Sequence, residues 1–283
     1  MKSLGIALAL VAVAVAAAPA GAQGERREIT RIAGDLYRFQ NNNHFSVFLV
    51  TPEGVIATDP IDPAAAAWLE QEIENRFAQP IRYLVYSHDH RDHIAGGEVF
   101  ADTATVVAHD NARRTIIAEK RPTAVPDLTF SERMTITLGG KSVELVYLGR
   151  NHSDNSIVMR FPEERALFAV DFISVKRLPY RDLSDSYFPD WIESVKRVEA
   201  MDFDIFVPGH GELGTRADVS DHRRYLEALY EGVLAAAREG KPLDQIKSEL
   251  LLEEFSHFGQ YDAWRELNIE GVHRQVVLHR RGN

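Results

Sequence analysis

The chain has 283 residues, of which 45% are hydrophobic and 26% charged, a balance typical of a globular protein with a sizeable core. Its formal net charge of −10 argues against nucleic acid as a partner, because proteins that bind a phosphate backbone usually present a basic face. The sequence contains no cysteine, which excludes disulfides, thiolate nucleophiles and cysteine-ligated metal sites.

The N-terminus has the pattern of a secretory signal peptide. Lys2 supplies a positive charge, Leu4 to Ala18 form an apolar run, and Ala20-Gly21-Ala22 offers the small residues that a signal peptidase reads. A membrane anchor is the alternative, but a spanning helix needs about 20 apolar residues, more than this run contains. We therefore expect residues 1–22 to be a signal peptide and residues 23–283 to form the mature domain. The protein would be periplasmic or secreted, with no stable membrane insertion after cleavage.

The first half of the mature chain alternates strand and helix patterns. It opens with β-like alternation from Glu28 to Thr51 and a hairpin turn at Pro52-Glu53-Gly54. The elements predicted next are a helix at 64–77, a buried strand at 81–86, a strand at 105–108 and a helix at 111–120.

The second half repeats this rhythm. The predicted elements are a hairpin of 134–138 and 143–148, a hairpin of 156–161 and 166–170, an amphipathic helix at 191–201, a strand at 204–207 and helices from Ala217 onward. Two runs of strands, each followed by helices, suit two sheets packed face to face with helices outside. This pattern alone does not distinguish such a fold from a Rossmann-like α/β fold.

A dense polar cluster, Ser87-His88-Asp89-His90-Arg91-Asp92-His93, directly follows the buried strand at 81–86. Because side chains alternate along an extended strand end, His88 and His90 should point to the same face. Asp92 and His93 then lie at the start of the next helix. Imidazole and carboxylate groups are ordinary zinc ligands, and several held so close together would repel or waste desolvation without a cation.

Three more ligand-type residues lie at predicted strand ends. His152 follows the turn at 148–151, Asp171 ends the buried run 166–170, and His210 lies in Pro208-Gly209-His210-Gly211. Together with the first cluster they supply enough ligands for two metal ions.

The order His-x-His-x-Asp-His, then a later His, an Asp and a Gly-His-Gly, resembles the metallo-β-lactamase superfamily. The resemblance implies an α/β fold, the αββα sandwich of two mixed β-sheets flanked by helices, and a hydrolase domain over residues 23–283. It implies one zinc ion on His88, His90 and His152, a second on Asp92, His93 and His210, and Asp171 bridging the two. Asp59 matches a family aspartate that orients ligands from behind, although a turn carboxylate before Pro60 is an equal alternative.

The branch within that family is ambiguous. Residues 151–155 and the following hairpin are similar to lactamases that use a cysteine ligand, but Asp171 stands where that cysteine falls. An aspartate there resembles the glyoxalase II, lactonase and ribonuclease Z branches. In many true lactamases a lysine shortly after this position binds the drug carboxylate, and Lys176 and Arg177 lie nearby here; we interpret both as exposed loop charges and assign neither that role. The loop 178–189, with Tyr180, Tyr187 and Phe188, is a candidate pocket wall, but we interpret its aromatic residues as core rather than substrate contacts.

The predicted function is an exported zinc hydrolase in which a metal-bound hydroxide attacks an amide, ester or thioester carbonyl of a small-molecule substrate, a β-lactam ring among the candidates. Asp92 would orient the nucleophile. The alternatives are a lactonase or glyoxalase II-like thioesterase, a di-iron redox protein, a nuclease and a non-catalytic metal-binding module. The sequence indicates no oligomeric state. The remaining histidines are expected to be structural or at the surface, with His44 at the site rim: His44, His109, His222, His257, His273 and His279.

Overall fold

The computed structural model describes residues 25–282, so the predicted signal peptide lies outside the described residues. Within the described range, no helix combines the length and apolar character needed to cross a membrane.

The first β-sheet contains seven strands in chain order. Its first four strands pair antiparallel, and its last four pair parallel, so the sheet is mixed. Its strands are β1 (Arg27–Ala33), β2 (Leu36–Asn41), β3 (His44–Thr51), β4 (Gly54–Thr58), β5 (Ile81–Val85), β6 (Thr105–His109) and β7 (Leu128–Phe130). Parallel neighbours need crossover connections, and these contain α1 (Pro63–Phe77), α2 (Arg91–Ile94) and α3 (Asp110–Ala118).

The second β-sheet contains five strands, and only its last pair runs parallel. In spatial order it begins with the last strand of the chain. Its strands are β8 (Arg133–Leu138), β9 (Lys141–Tyr147), β10 (Ile157–Phe161), β11 (Ala166–Ala169) and β12 (Ile205–Pro208). The helices are α4 (Asp190–Glu199), which connects β11 to β12, and then α5 (Arg216–Arg238), α6 (Leu243–Glu249) and α7 (Tyr261–Leu278).

Three apolar layers hold these elements together. The central layer lies between the two sheets and includes Val47, Leu145 and Phe168. A second layer packs the other face of the first sheet against α1 and α3, and a third packs the second sheet against the C-terminal helices. The two sheets thus pack face to face and helices cover the outer face of each, which confirms the predicted αββα sandwich with two mixed sheets.

The local sequence explains where the elements begin and end. Helix α1 begins at Pro63 because the Asp62 carboxylate accepts a hydrogen bond from the Ala65 backbone N–H at 2.8 Å, and proline is favoured in the first turn. Most predicted boundaries agree with the structure within two residues. The short strand β7 was not predicted, because its three residues are too few to show an alternating pattern.

Candidate metal centre

The seven predicted ligands lie along one edge of the sandwich, either in connections that follow a strand or in the short helix α2. The segment 87–93 runs from the end of β5 into α2, and His152 lies in the connection from β9 to β10. Asp171 follows β11, and His210 follows its parallel neighbour β12. Since parallel strands end at the same side of a sheet, the fold brings Asp171 and His210 together.

The side chains form two groups, and within each group one ligand atom per residue lies within 4.8 Å of all the others. His90 Nδ1 lies 3.0 Å from His152 Nε2, and His93 Nε2 lies 3.2 Å from His210 Nε2. The groups are His88, His90, His152 and Asp171, and Asp92, His93, Asp171 and His210.

Asp171 belongs to both groups. Its Oδ2 lies 3.5 Å from His88 Nε2, and its Oδ1 lies 3.2 Å from His210 Nε2. The division into two groups sharing Asp171 is the division that the family resemblance implies. That these residues bind metal remains a prediction.

The backbone at Asp171 adopts the left-handed region, with φ +67°. Aspartate tolerates this conformation better than most residues, but it costs free energy that the surroundings must supply. The next carbonyl, that of Phe172, accepts hydrogen bonds from Trp191 Nε1 at 2.7 Å and His222 Nε2 at 3.1 Å. The Ser174 backbone N–H donates to His222 Nδ1 at 3.3 Å. His222 therefore contacts both peptide groups that flank Ile173, two residues after Asp171, and we call this pair of contacts the His222 clamp.

One neutral tautomer of His222 satisfies both contacts, with Nε2 donating and Nδ1 accepting. Burial lowers the pKa of His222 to about 4, so the ring stays neutral at physiological pH. Sequence reasoning classified His222 as structural or surface and did not find this contact with the Asp171 segment.

A second network links the two loops that carry His88, His90 and His152. The Asp89 backbone N–H donates to Asn155 Oδ1 at 2.9 Å, and Asn155 Nδ2 donates to Asp89 Oδ1 at 2.7 Å. Arg121 Nη2 donates to the other oxygen of Asp89 at 2.9 Å. The buried Asp89 supplies no ligand atom to either group and fixes the first loop against the second.

Asp59 lies fully buried behind His93. One carboxylate oxygen accepts a hydrogen bond from the Ser87 backbone N–H at 2.8 Å, and the other lies 3.8 Å from His93 Nδ1. Burial raises the pKa of Asp59 to about 6, while the charge of His93 opposes that rise. This position suits a carboxylate that orients a histidine ligand from behind.

The ionisation of the cluster favours a cation. Burial raises the pKa of Asp171, but the charge of His93 and the close approach of the His210 and His88 imidazoles outweigh it and hold that pKa well below its usual range. Burial, with the charge of His90, lowers the pKa of His88 to about 4, and burial lowers the pKa of His152 to about 3. Neutral imidazoles beside an ionised carboxylate are the protonation states that metal binding requires.

His93 is the exception. Burial lowers its pKa, but the Asp171, Asp59 and Asp92 carboxylates raise it to about 9. A divalent cation bound at this group would displace that proton.

Two buried polar atoms of the cluster lack hydrogen-bond partners, which also favours a bound metal ion. His88 Nε2 and Asp171 Oδ1 are both buried, and neither makes a hydrogen bond within residues 25–282. An unsatisfied buried polar group costs about 1–3 kcal/mol. A metal ion bound by both groups would remove this cost, and the nitrogen and oxygen donor set suits zinc as well as iron.

Asp92 and His44 lie where the metal groups meet solvent. The Asp92 side chain is 54% exposed, and its Oδ2 lies 3.3 Å from His44 Nε2. Burial raises the pKa of Asp92, but the hydrogen bond from His44 and the charge of His93 bring it well below its usual range. His44 lies at the rim, as expected. The other five non-cluster histidines supply no ligand atom to either group.

A cavity of about 850 Å³ opens above the metal groups. His90, Asp92 and Asp171 line it, together with Arg177, Tyr180 and Trp264. Tyr180 belongs to the loop named from the sequence as a candidate pocket wall, whereas Trp264 had no role in the sequence-based prediction. The size suits a small-molecule substrate.

The interpretation of the loop after Asp171 needs correction. Lys176 is exposed as expected, but Arg177 is half-buried, and its guanidinium lies 4.9 Å from the Trp264 ring centroid. Tyr180, expected in the core, is 65% exposed, while Phe188 is buried as expected. The reason is that the loop packs on α7, which begins about 80 residues later in the chain and leaves no local trace in the loop sequence.

The metallo-β-lactamase superfamily model matches residues 44–210, a stretch that contains all seven predicted ligands. The chain belongs to this superfamily. It is an enzyme of the superfamily's hydrolase type, with histidine and aspartate groups suited to bind metal.

Relatives include the 2,4-dinitroanisole O-demethylase subunit alpha of Nocardioides sp. (strain JS1661), 29% identical over 68% of this chain. The match covers 60% of that subunit's length, less than two thirds. A metallo-beta-lactamase type 2 from Bacillus cereus is 26% identical over 59% of this chain and 67% of the relative.

Among solved structures, a metallo-beta-lactamase from Pontibacter korlensis superposes with a TM-score of 0.64 at 23% identity. It covers 71% of this chain and 99% of the neighbour. A metallo-beta-lactamase from Hirschia baltica gives a TM-score of 0.63 at 19% identity, over 71% of this chain and 97% of that one. These likenesses establish the superfamily fold.

Proposed function

We propose that this protein is an exported two-zinc hydrolase that cleaves a lactone, thioester, ester or amide carbonyl in a small substrate, a β-lactam ring among the candidates. The observation that carries the proposal is Asp171, which reaches both ligand groups from the floor of a cavity large enough for such a substrate. His88, His90 and His152 would hold one ion with Asp171, and Asp92, His93 and His210 would hold the other. Zinc would lower the pKa of water to about 7 and draw charge from the carbonyl oxygen.

Two residues of the chain, Asp92 and His44, would position the attacking water. Asp92 stays ionised and accessible at neutral pH, so it can accept a hydrogen bond from the attacking water and orient it. His44 holds that carboxylate from the solvent side. The chain has no cysteine, which excludes a thiolate nucleophile, and in this proposal water is the attacking group.

An oxygen ligand at position 171 favours the lactonase and thioesterase alternative over a dedicated β-lactamase. Carboxylate is a harder ligand than the thiolate of the cysteine branch and can bridge two ions. The demethylase subunit among the relatives makes 2,4-dinitroanisole a reasonable further test substrate.

The test is turnover by the zinc-loaded protein of a chromogenic cephalosporin, an acyl lactone, a glutathione thioester and 2,4-dinitroanisole, with Asp92→Asn beside it. We expect lactone or thioester cleavage that Asp92→Asn reduces at least a hundredfold, because general-base groups typically contribute about 10²–10⁴-fold. Metal analysis of protein purified without added metal tests the di-iron alternative. If the correctly folded two-zinc protein turned over no substrate of the panel, the result would contradict the proposal.

Export is tested separately. Sequencing the N-terminus of protein recovered from a periplasmic fraction should give a chain that begins near Gln23. Recovery of the full-length chain from the cytoplasm alone would contradict the assignment.

A further inference from the structure

The cavity above the metal groups has an aromatic corner made of Tyr180 and Trp264. The two ring centroids lie 5.2 Å apart and the ring planes meet at 79°. Tyr180 is 65% exposed and is the one aromatic residue among the large exposed hydrophobic side chains of residues 25–282. A planar ring placed in this corner would lie against one ring and direct its edge toward the other, an arrangement that aromatic groups favour.

Arg177 adds a cation to the same corner. Its guanidinium lies over the Trp264 ring and lines the cavity. Within residues 25–282 no carboxylate forms an ion pair with it, whereas the neighbouring Lys176 lies 3.9 Å from Asp218. A guanidinium that is already half-desolvated and stacked is well suited to bind a carboxylate or another planar anion.

Two carboxylates that line the cavity on the side of this loop, Asp182 and Asp185, do not fill this role. Asp182 Oδ2 lies 3.3 Å from Arg274 Nη2, and Asp185 Oδ2 lies 3.8 Å from His90 Nε2. Each therefore has a cationic or ligand partner of its own. Arg177 remains available to a substrate anion.

The loop that carries Arg177 and Tyr180 is hydrogen-bonded both to the turn before α7 and to α7 itself. The Leu178 backbone N–H donates to the Gly259 carbonyl at 3.0 Å, and Gly259 N–H donates to the Lys176 carbonyl at 2.9 Å. The buried Asn268 donates from its amide to the Pro179 carbonyl at 3.1 Å. We call the surface formed by Arg177, Tyr180 and Trp264 the cavity wall. Because these contacts already hold its backbone in place, the wall binds ligand without the entropic cost of ordering a loop.

This wall depends on helices that follow residue 210, where the superfamily match ends. Trp264 lies on α7, and α7 supports the loop. The selectivity that the wall confers is therefore a property of this chain's C-terminal helices.

We propose that Arg177, Tyr180 and Trp264 form a substrate subsite for a single planar aromatic ring that carries an anionic substituent. The compact spacing of the corner requires the ring and the anion to be adjacent, as in a benzoate-sized group. This inference rests on the proposed hydrolase function for its role in catalysis, and it makes the substrates aryl esters, lactones, thioesters or amides with such a group.

Binding tests the subsite without turnover. The affinities of benzenesulfonate and cyclohexanesulfonate for the zinc-loaded full-length mature protein are measured by calorimetry, because both ligands carry the same charge and only one is aromatic. Benzenesulfonate should bind about three- to tenfold more tightly, as expected for an aromatic pair. Tyr180→Ala should remove this preference, and Tyr180→Phe, which keeps the ring, should preserve it.

The anion contact has its own variant and control. Arg177→Gln should weaken both sulfonates about tenfold, because it removes a charge-assisted contact. The matched control Lys176→Gln, one residue away and exposed, should change neither affinity. Equal affinities in the wild type, or a preference that survives in both Tyr180→Ala and Trp264→Leu, would overturn the subsite.

Kinetics separate this inference from the proposed function. With phenyl and cyclohexyl versions of one ester, Tyr180→Ala should raise KM for the phenyl substrate alone and leave kcat within twofold. Turnover without any aryl preference would refute the subsite while leaving the hydrolase proposal intact. An aryl preference in sulfonate binding without turnover of any substrate would support the subsite and refute the hydrolase.

Discussion

The clamp that His222 places on the segment after Asp171 makes a quantitative prediction. His222→Leu removes the acceptor of the Ser174 N–H and one of the two donors to the Phe172 carbonyl. Each hydrogen bond contributes about 0.5–1.5 kcal/mol, so the free energy of unfolding should fall by about 1–3 kcal/mol. The Phe172 carbonyl keeps its bond from Trp191, which limits the loss.

The larger effect should appear in metal binding. Asp171 holds a left-handed backbone conformation that costs about 1–3 kcal/mol, and without the clamp this residue can relax away from the ligand groups. Residues that support ligands from behind typically change metal affinity about 10–100-fold. We therefore expect zinc to bind at least tenfold more weakly to His222→Leu.

The assay is a competition titration of zinc against a chromophoric chelator, with urea unfolding of the same samples. His257→Leu, which changes an exposed histidine outside the ligand groups, is the matched control and should leave both quantities unchanged. A His222→Leu protein that loses stability but keeps its zinc affinity within twofold would refute the clamp. It would show that His222 serves the core alone.

Three further predictions concern other parts of the site. Asn155→Ala breaks both contacts with Asp89, so it should lower the free energy of unfolding by about 2–3 kcal/mol in urea and weaken zinc binding in chelator competition. The control is Asn75→Ala at an exposed position, and equal behaviour of the two variants would contradict the network. Gly271→Ala would place a Cβ atom 2.0 Å from the Asp182 carbonyl oxygen, so the loop that packs on α7 should shift. The melting temperature and the preference for benzenesulfonate should both fall. An unchanged preference would argue against a rigid cavity wall. Protein held at a free zinc concentration one hundredfold above its Kd should lose about 2.7 kcal/mol of its free energy of unfolding when a chelator removes the metal. Equal melting curves with and without chelator would mean that no metal binds the native state.

The metal ligands were accessible to sequence reasoning because their signal is local. His88, His90, Asp92 and His93 lie within six residues, directly after an apolar strand, and the other three each follow a strand end. The αββα arrangement followed from the family resemblance. Periodicity alone left a Rossmann-like fold open, since both folds alternate strands and helices.

The missed residues depend on contacts between distant parts of the chain. His222 lies on the buried face of α5 with Val219 and Tyr225, so its burial follows from helical spacing. Its partners at Phe172 and Ser174 do not follow, because they depend on how α5 packs against the segment that comes after β11. Arg177 lines the cavity for the same reason, since its position is fixed by α7.

The most direct test of the account is a crystal structure of the zinc-loaded protein with anomalous difference maps collected on both sides of the zinc absorption edge. The account predicts two zinc peaks, one among His88, His90 and His152 and the other among Asp92, His93 and His210, with the Asp171 carboxylate in contact with both. A single peak, or two peaks of which one lies out of reach of Asp171, would contradict the two-metal centre.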